Sequence, residues 1–162
     1  MSELSQNFRC GIGYDTHRLA AGRKLVLGGV EIAALRGPVS HSDGDVLSHA
    51  IVDALLGAAA LGDIGRHFPD TDPRWKGASS KIFLEEVRRQ LVDRGLHILN
   101  IDSVIVLDEP KLAQHIAAMS LNIAAALGIE PSQISVKAKT SEGANPDIAA
   151  AHAVALLSGS TA

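Results

Sequence analysis

In "GIGYDTHRL", Gly11 to Leu19, a carboxylate and an imidazole stand one residue apart as Asp15 and His17. Residues i and i+2 of a strand share a face, so the two aim at one point. That point suits a metal, a substrate or a plain Asp–His hydrogen bond. Two more stretches hold more polar residues than their apolar surroundings call for. "HSDGDVLSH" carries His41, Ser42, Asp43, Asp45 and His49, and "LGDIGRHFPDTD" carries Asp63, Asp70 and Asp72. Asp15, His17 and His49 together form a His₂–carboxylate set with one coordination position open, the layout of catalytic zinc. An oxygen-loving ion such as magnesium would prefer carboxylates without the imidazoles. Asp53, four residues after His49, shares its helix face and is expected to take the second ring N–H of that histidine. In "VKAKTSE", Lys139, Thr140 and Ser141 end a strand with groups that suit phosphate oxygens, and Glu142 suits a magnesium ion bridging two phosphates. Each motif alone also has a plainer reading: a core histidine, a helix start, a turn, a polar loop.

These residues need elements to hold them. A strand is expected over Arg9–Tyr14, placing Asp15 and His17 at its end. "KLVLGGVEI" reads as two short strands around Gly28-Gly29, a hairpin signal, and "LRGPVSHSDGD" as a loop. The first strong helix is expected from Asp45 to Leu61 with Asp43 as N-cap. It is apolar nearly all round and therefore buried. A turn-rich loop spans Gly62 to Gly77. A second helix, capped by Ser79 or Ser80, buries Ile82, Leu84, Val87 and Leu91 and ends at Gly95. "LHILNIDSVIVLDEP" is a strand, and Lys111–Leu127 a third helix that stops at Gly128. "QISVKAKTSE" runs from strand into loop, and "IAAAHAVALL" is read as a strand despite its alanines. The alternation gives an α+β fold: a single-domain mixed β-sheet packed on one face by about three helices.

The chain has 162 residues, 46% apolar and 20% charged, with net charge −3. That suits one domain over residues 1–162 with a real core, residues 1–8 being expected as a flexible N-terminus. No basic block favours nucleic acid. No apolar run reaches the roughly 18 residues that span a bilayer, so no membrane partner is expected. The single Cys10 allows no internal disulfide and fits a reducing, cytoplasmic setting.

The stretches "GIGYDTHRL", "HSDGDVLSHAIVDALLGAAALGDIGRHFPDTDP" and "VKAKTSE" occur in an order that resembles the 2-C-methyl-D-erythritol 2,4-cyclodiphosphate synthase family. The resemblance covers Arg9 to Leu157. It implies a homotrimeric lyase with active sites between subunits. Such an enzyme converts 4-diphosphocytidyl-2-C-methyl-D-erythritol 2-phosphate to the 2,4-cyclodiphosphate and releases CMP, in the non-mevalonate route to isoprenoid precursors. It implies zinc, or another divalent ion, on Asp15, His17 and His49, and magnesium or manganese near Glu142. His41 and Ser42 match phosphate contacts, and His41 with Thr140 match a pair that stabilises the transition state. Asp63, Ile64 and Gly65, with Phe68, Pro69, Asp70, Thr71 and Asp72, match segments holding methylerythritol and ribose. Leu107 to Ala113, including Pro110, Lys111 and Leu112, match the loop around cytosine, and Lys139 to Glu142 the grip on the nucleotide phosphates. One departure stands out. The family's glycine-rich stretch after this point, with its cavity-facing Arg and Phe, is replaced by the shorter "SEGANPDIAAAHAV". That puts isoprenoid diphosphate binding in the trimer cavity in question. Lys139, standing for a threonine, is expected to supply part of the lost positive charge. Two other readings stay open: a generic zinc phosphohydrolase, and a nucleotide-binding trimer without turnover.

Overall fold

The computed structural model describes residues 6–160. Most of the segment expected to be flexible, residues 1–5, lies outside them. Asn7 and Phe8 instead belong to β1 (Gln6–Ala21), where they pair with Gly159 and Ser158. Next come β2 (Leu25–Leu27), β3 (Val30–Ile32), β4 (Arg36–Pro38), α1 (Val46–Ala58), α2 (Ile64–His67) and α3 (Ser80–Val92). They are followed by β5 (Leu96–Val106), α4 (Ile116–Leu127), β6 (Ile134–Lys139) and β7 (Ile148–Ser160). The main sheet has the order β4-β1-β7-β5-β6. Its pairs are antiparallel except β5–β6, which is parallel, so the sheet is mixed as expected. The hairpin β2–β3 forms its own small sheet, turned by Gly28 and Gly29 at positive φ, as a two-residue hairpin turn requires.

One element organises the rest. α1 is buried on all sides, with Leu47, Ile51 and Leu55 fully enclosed; each such side chain contributes about 1.5–3 kcal/mol. It lies on β1 and β7, with α3 against it. Its seat on β1 is made by absence of side chains. A Cβ on Gly11 would come within 2.0 Å of the Ala54 carbonyl oxygen, and one on Gly13 within 1.9 Å of that of Ala50. Helix and strand backbones touch, and Ala50, Ala54 and Ala58 face the two glycines at one-turn spacing. β7 continues this surface with buried Ala149, Ala151, Ala153 and Ala155. The alanine-rich C-terminus is therefore a strand whose small residues admit a close helix within the chain.

Among the described residues, the opposite sheet face carries no helix. Phe8, Ile12, Tyr14 and Val154 stand exposed there, Ile12 at 74%, with Ile12 opposite Val154 and Tyr14 opposite His152.

Several boundaries differ from expectation. β1 runs past Tyr14, so Asp15 and His17 sit inside a strand and inherit its rigidity. β4 occupies part of the expected loop. The N-cap of α1 is Asp45, not Asp43. Its carboxylate accepts from Ser48 N–H and Ser48 Oγ, and from the hairpin amides of Gly28 and Gly29, at 2.8–3.0 Å. Burial pushes this carboxyl up, while the four donors oppose that shift. In α3, Ile82 is exposed and Phe83 is buried, because Phe83 fills an aromatic cluster with Phe68 and Trp75. The third helix begins at Ile116, after a 3₁₀ turn over Ala113–His115.

Candidate metal centre and its cleft

Asp15 and His17 leave β1 on the side of α1, and His49 projects from the first turns of that helix. His49 Nδ1 lies 2.9 Å from Asp15 Oδ2, and His17 Nε2 lies 3.1 Å from the same oxygen. One ligand atom from each of the three lies within 4.8 Å of the others. His17 Nε2 is buried without a hydrogen-bond partner. A buried nitrogen left orphan beside a carboxylate is costly unless something else occupies the gap. The donor set, two imidazoles and one carboxylate, fits a zinc-like divalent ion. Burial disfavours charge on Asp15, but the close imidazoles of His17 and His49 more than reverse that and hold its carboxyl well below the usual range. Burial likewise works against charge on His49, yet Asp15, with Asp45 and Asp43 behind it, raises its proton affinity. The centre is thus electrostatically built for a cation.

The cluster floors a cleft of about 410 Å³, whose walls include Ser42, Ile64, Gly65, Phe68, Pro69, Asp70, Thr71 and Trp75. His41 also lines it, its Nε2 buried and unpartnered, while its carbonyl is fixed by the Gly77 N–H. Asp63 and Asp72 are the exceptions among the expected contacts. Asp63 caps α2 through Arg66 N–H, and Asp72 caps the turn Pro73–Trp75 and pairs with Arg74; neither lines the cleft. Asp53 is also occupied elsewhere. It accepts from Ile64 N–H at 2.7 Å and makes no hydrogen bond to His49. The second ring nitrogen of His49 instead meets Ser80 Oγ at 2.8 Å and Ser42 Oγ at 3.3 Å.

A second pocket, about 540 Å³, lies at the far edge of the sheet. Leu107, Pro110, Lys111, Leu112, Ala113, Lys139 and Thr140 line it. Thr140 Oγ1 donates to Glu142 at 2.6 Å. Ser141 donates its N–H and hydroxyl to Asp108 at 2.5 and 2.9 Å, which fastens one loop to the other and holds the Asp108 carboxyl below its usual range. Thr16, Ala150, Val106 and Lys139 are register partners across β1, β7, β5 and β6. β1, which carries the cluster, and β6, which borders the second pocket, are therefore three strand spacings, about 14 Å, apart at this level of the sheet.

A sequence profile described as the YgbB family matches residues 8–158. The chain belongs to the YgbB family. Two relatives carry the name 2-C-methyl-D-erythritol 2,4-cyclodiphosphate synthase. The protein from Dechloromonas aromatica is 57% identical over 136 residues, which is 84% of this chain and 85% of the relative. That from Syntrophomonas wolfei is 54% identical over 153 residues, 92% and 98% of the two chains. A solved structure of a synthase of that name, in its CDP-bound form, superimposes with a TM-score of 0.87 at 46% identity, covering 92% of this chain and 99% of that one.

In this YgbB-family chain, Ser80, Phe83 and Trp75 support the cleft without carrying a functional motif, and Asp43 and Asp108 act as supports behind it and behind the second pocket. The Ser79-Ser80 doublet was the available signal for one of them, since a helix needs a single cap. "SDGD" offers two aspartates and only one can cap, which leaves Asp43 for Ser80.

Proposed function

We propose that the chain converts 4-diphosphocytidyl-2-C-methyl-D-erythritol 2-phosphate into 2-C-methyl-D-erythritol 2,4-cyclodiphosphate and CMP, as a cyclising phosphorus–oxygen lyase of isoprenoid precursor synthesis. The observation that carries this is the Asp15–His17–His49 cluster on the floor of a cleft beside an unpartnered His41; the product is taken from the relatives' name and the substrate from the family resemblance. The substrate's 2-phosphate oxygen bonds to the β-phosphorus, and the bond from that phosphorus to the CMP oxygen breaks. No water or other reactant is consumed. Both groups belong to one molecule, so the protein's task is to fold it for in-line attack. Zinc or a similar ion on Asp15, His17 and His49, and magnesium or manganese at Glu142, would draw charge from the phosphate oxygens. His41 and Ser42 hold a phosphate, and His41 with Thr140 stabilise charge as it shifts. Phe68, Pro69, Asp70 and Thr71, with Ile64 and Gly65, wall in methylerythritol and ribose. The pocket from Leu107 to Ala113 encloses cytosine, and Lys139 with Ser141 grips the nucleotide phosphates.

Two pockets bordered by strands three spacings apart, β1 and β6, are poorly placed for one compact substrate. Assembly of copies through the helix-free face, bearing Phe8, Ile12, Tyr14 and Val154, would set one chain's cleft against another's nucleotide pocket. We take the assembly to be the homotrimer with active sites between subunits that the family resemblance implies, and the exposed free Cys10 suits a reducing, cytoplasmic setting. Light scattering should give three chains per particle. Ile12→Glu should yield monomers that keep their fold and lose turnover; active monomers would refute the shared site.

Incubation of purified protein with the cytidyl substrate, zinc and magnesium should give CMP and cyclodiphosphate in equal amounts. Linear phosphate release would mark a phosphohydrolase, and CMP binding without turnover a scaffold.

A further inference from the structure

Ser80 is fully buried at the start of α3, although that helix is capped by Ser79, whose side chain accepts from Lys81 N–H. The Ser80 hydroxyl is therefore free of capping. It donates to Asp43 Oδ1, and Asp43 Oδ2 accepts the Ser80 N–H at 2.8 Å, so both carboxylate oxygens face one residue. On its other side the same hydroxyl lies 2.8 Å from His49 Nε2. An ionised carboxylate only accepts, and a hydroxyl has one proton to give. With that proton committed to Asp43, Ser80 Oγ can only accept from the ring. Nε2 of His49 must then carry a proton, and Nδ1, 2.9 Å from Asp15 Oδ2, is the nitrogen left to meet an ion.

We propose that Ser80, aligned by Asp43, is the positioning residue of the metal centre: it fixes the tautomer and ring plane in which His49 presents Nδ1. Asp53, the carboxylate spaced to do this, is taken up by the Ile64 amide. Ser42 Oγ, 3.3 Å from the same nitrogen, is the weaker partner, since Ser42 also meets Ser40 Oγ and Gly44 N–H at 3.4 Å. The assignment rests on the metal reading of Asp15, His17 and His49 and concerns how that site is held.

The test uses the full chain stripped by chelator and titrated with Co²⁺, and with Zn²⁺ against a chromophoric chelator. The parent protein should bind one ion per chain at this site, and His49→Ala should not. Ser80→Ala should weaken binding by about 10–100-fold and alter the cobalt d–d band, and Ser80→Thr should restore both. In the zinc-loaded parent protein, ¹⁵N spectra of the His49 ring should show the proton on Nε2. Parent protein that binds no more cobalt than His49→Ala would refute the metal centre itself. A Ser80→Ala variant with parent affinity and band, or a loss that Ser80→Thr fails to restore, would overturn the role of Ser80 alone. A proton found on Nδ1 would overturn it too, and that measurement decides the matter even if Ser80→Ala does not fold.

Discussion

The two pockets are built by opposite means. The candidate metal centre stands on the interior of a long strand and the first turns of a buried helix, pressed together where Gly11 and Gly13 leave no room for a side chain. Its ligand atoms are already gathered and its histidine is held from behind. The pocket proposed for the nucleotide is framed by loops, from Leu107 to Ala113 and from Thr140 onward, fastened mainly by the clasp of Asp108 on Ser141. The groups proposed to meet an ion sit on regular elements, and those proposed to recognise a larger ligand sit on loops.

The comparison can be broken most severely by activity. His49→Ala should remove bound metal and cut turnover at least about a thousandfold, the equivalent of roughly 4 kcal/mol. Lys111→Ala, in the loop half, should raise KM about tenfold with kcat kept. Steady-state kinetics showing the same kcat loss in both would erase the distinction. Stability is the next lever. Gly13→Ala drives a Cβ into the Ala50 carbonyl and should cost about 3 kcal/mol in denaturant unfolding. Gly143→Ala meets open space and only a left-handed backbone, φ +79°, and should cost about 1 kcal/mol. Equal costs would mean that α1 is not seated on β1 as described. The smallest effect concerns pH. The carboxyl of Asp108 is depressed, so its clasp is fully present above the unfolded-state value and is lost as pH falls through the lower folded value. Its ¹³C carboxyl titration should have a midpoint below the ordinary value of about 3.9; a midpoint at or above that would open the clasp.

Patterns that were local were legible in the sequence. The spacing of Asp15 and His17, the all-apolar face of α1 around His49 and the Gly28-Gly29 turn each point to one structure. The alternating run of β7 is as clear, and so is the strand-and-helix order that yields a mixed sheet. What failed was decided by neighbours distant in the chain. Asp45 displaces Asp43 as cap because the β2–β3 hairpin offers it two further amides. Phe83 displaces Ile82 from the core because Phe68 and Trp75 arrive from another loop. Asp53 has the right helical spacing for His49, but Ile64 N–H takes its oxygen first. The separation of the pockets follows from strand order, and no local motif encodes strand order.

β1 serves both faces of the sheet in alternation: Gly11, Gly13, Asp15 and His17 look toward the helices, and Ile12, Tyr14 and Thr16 look away. Substitutions in this stretch act on one face at a time. A deletion or insertion of one residue acts on both at once, turning every side chain beyond it to the opposite side. A lost residue between Gly11 and Asp15 would carry a metal ligand to the outer face and a bulky side chain under α1 in a single event. The stretch from Gly11 to His17 is therefore constrained in its length more tightly than in its composition, and a library of variants there should tolerate many exchanges and no change of register.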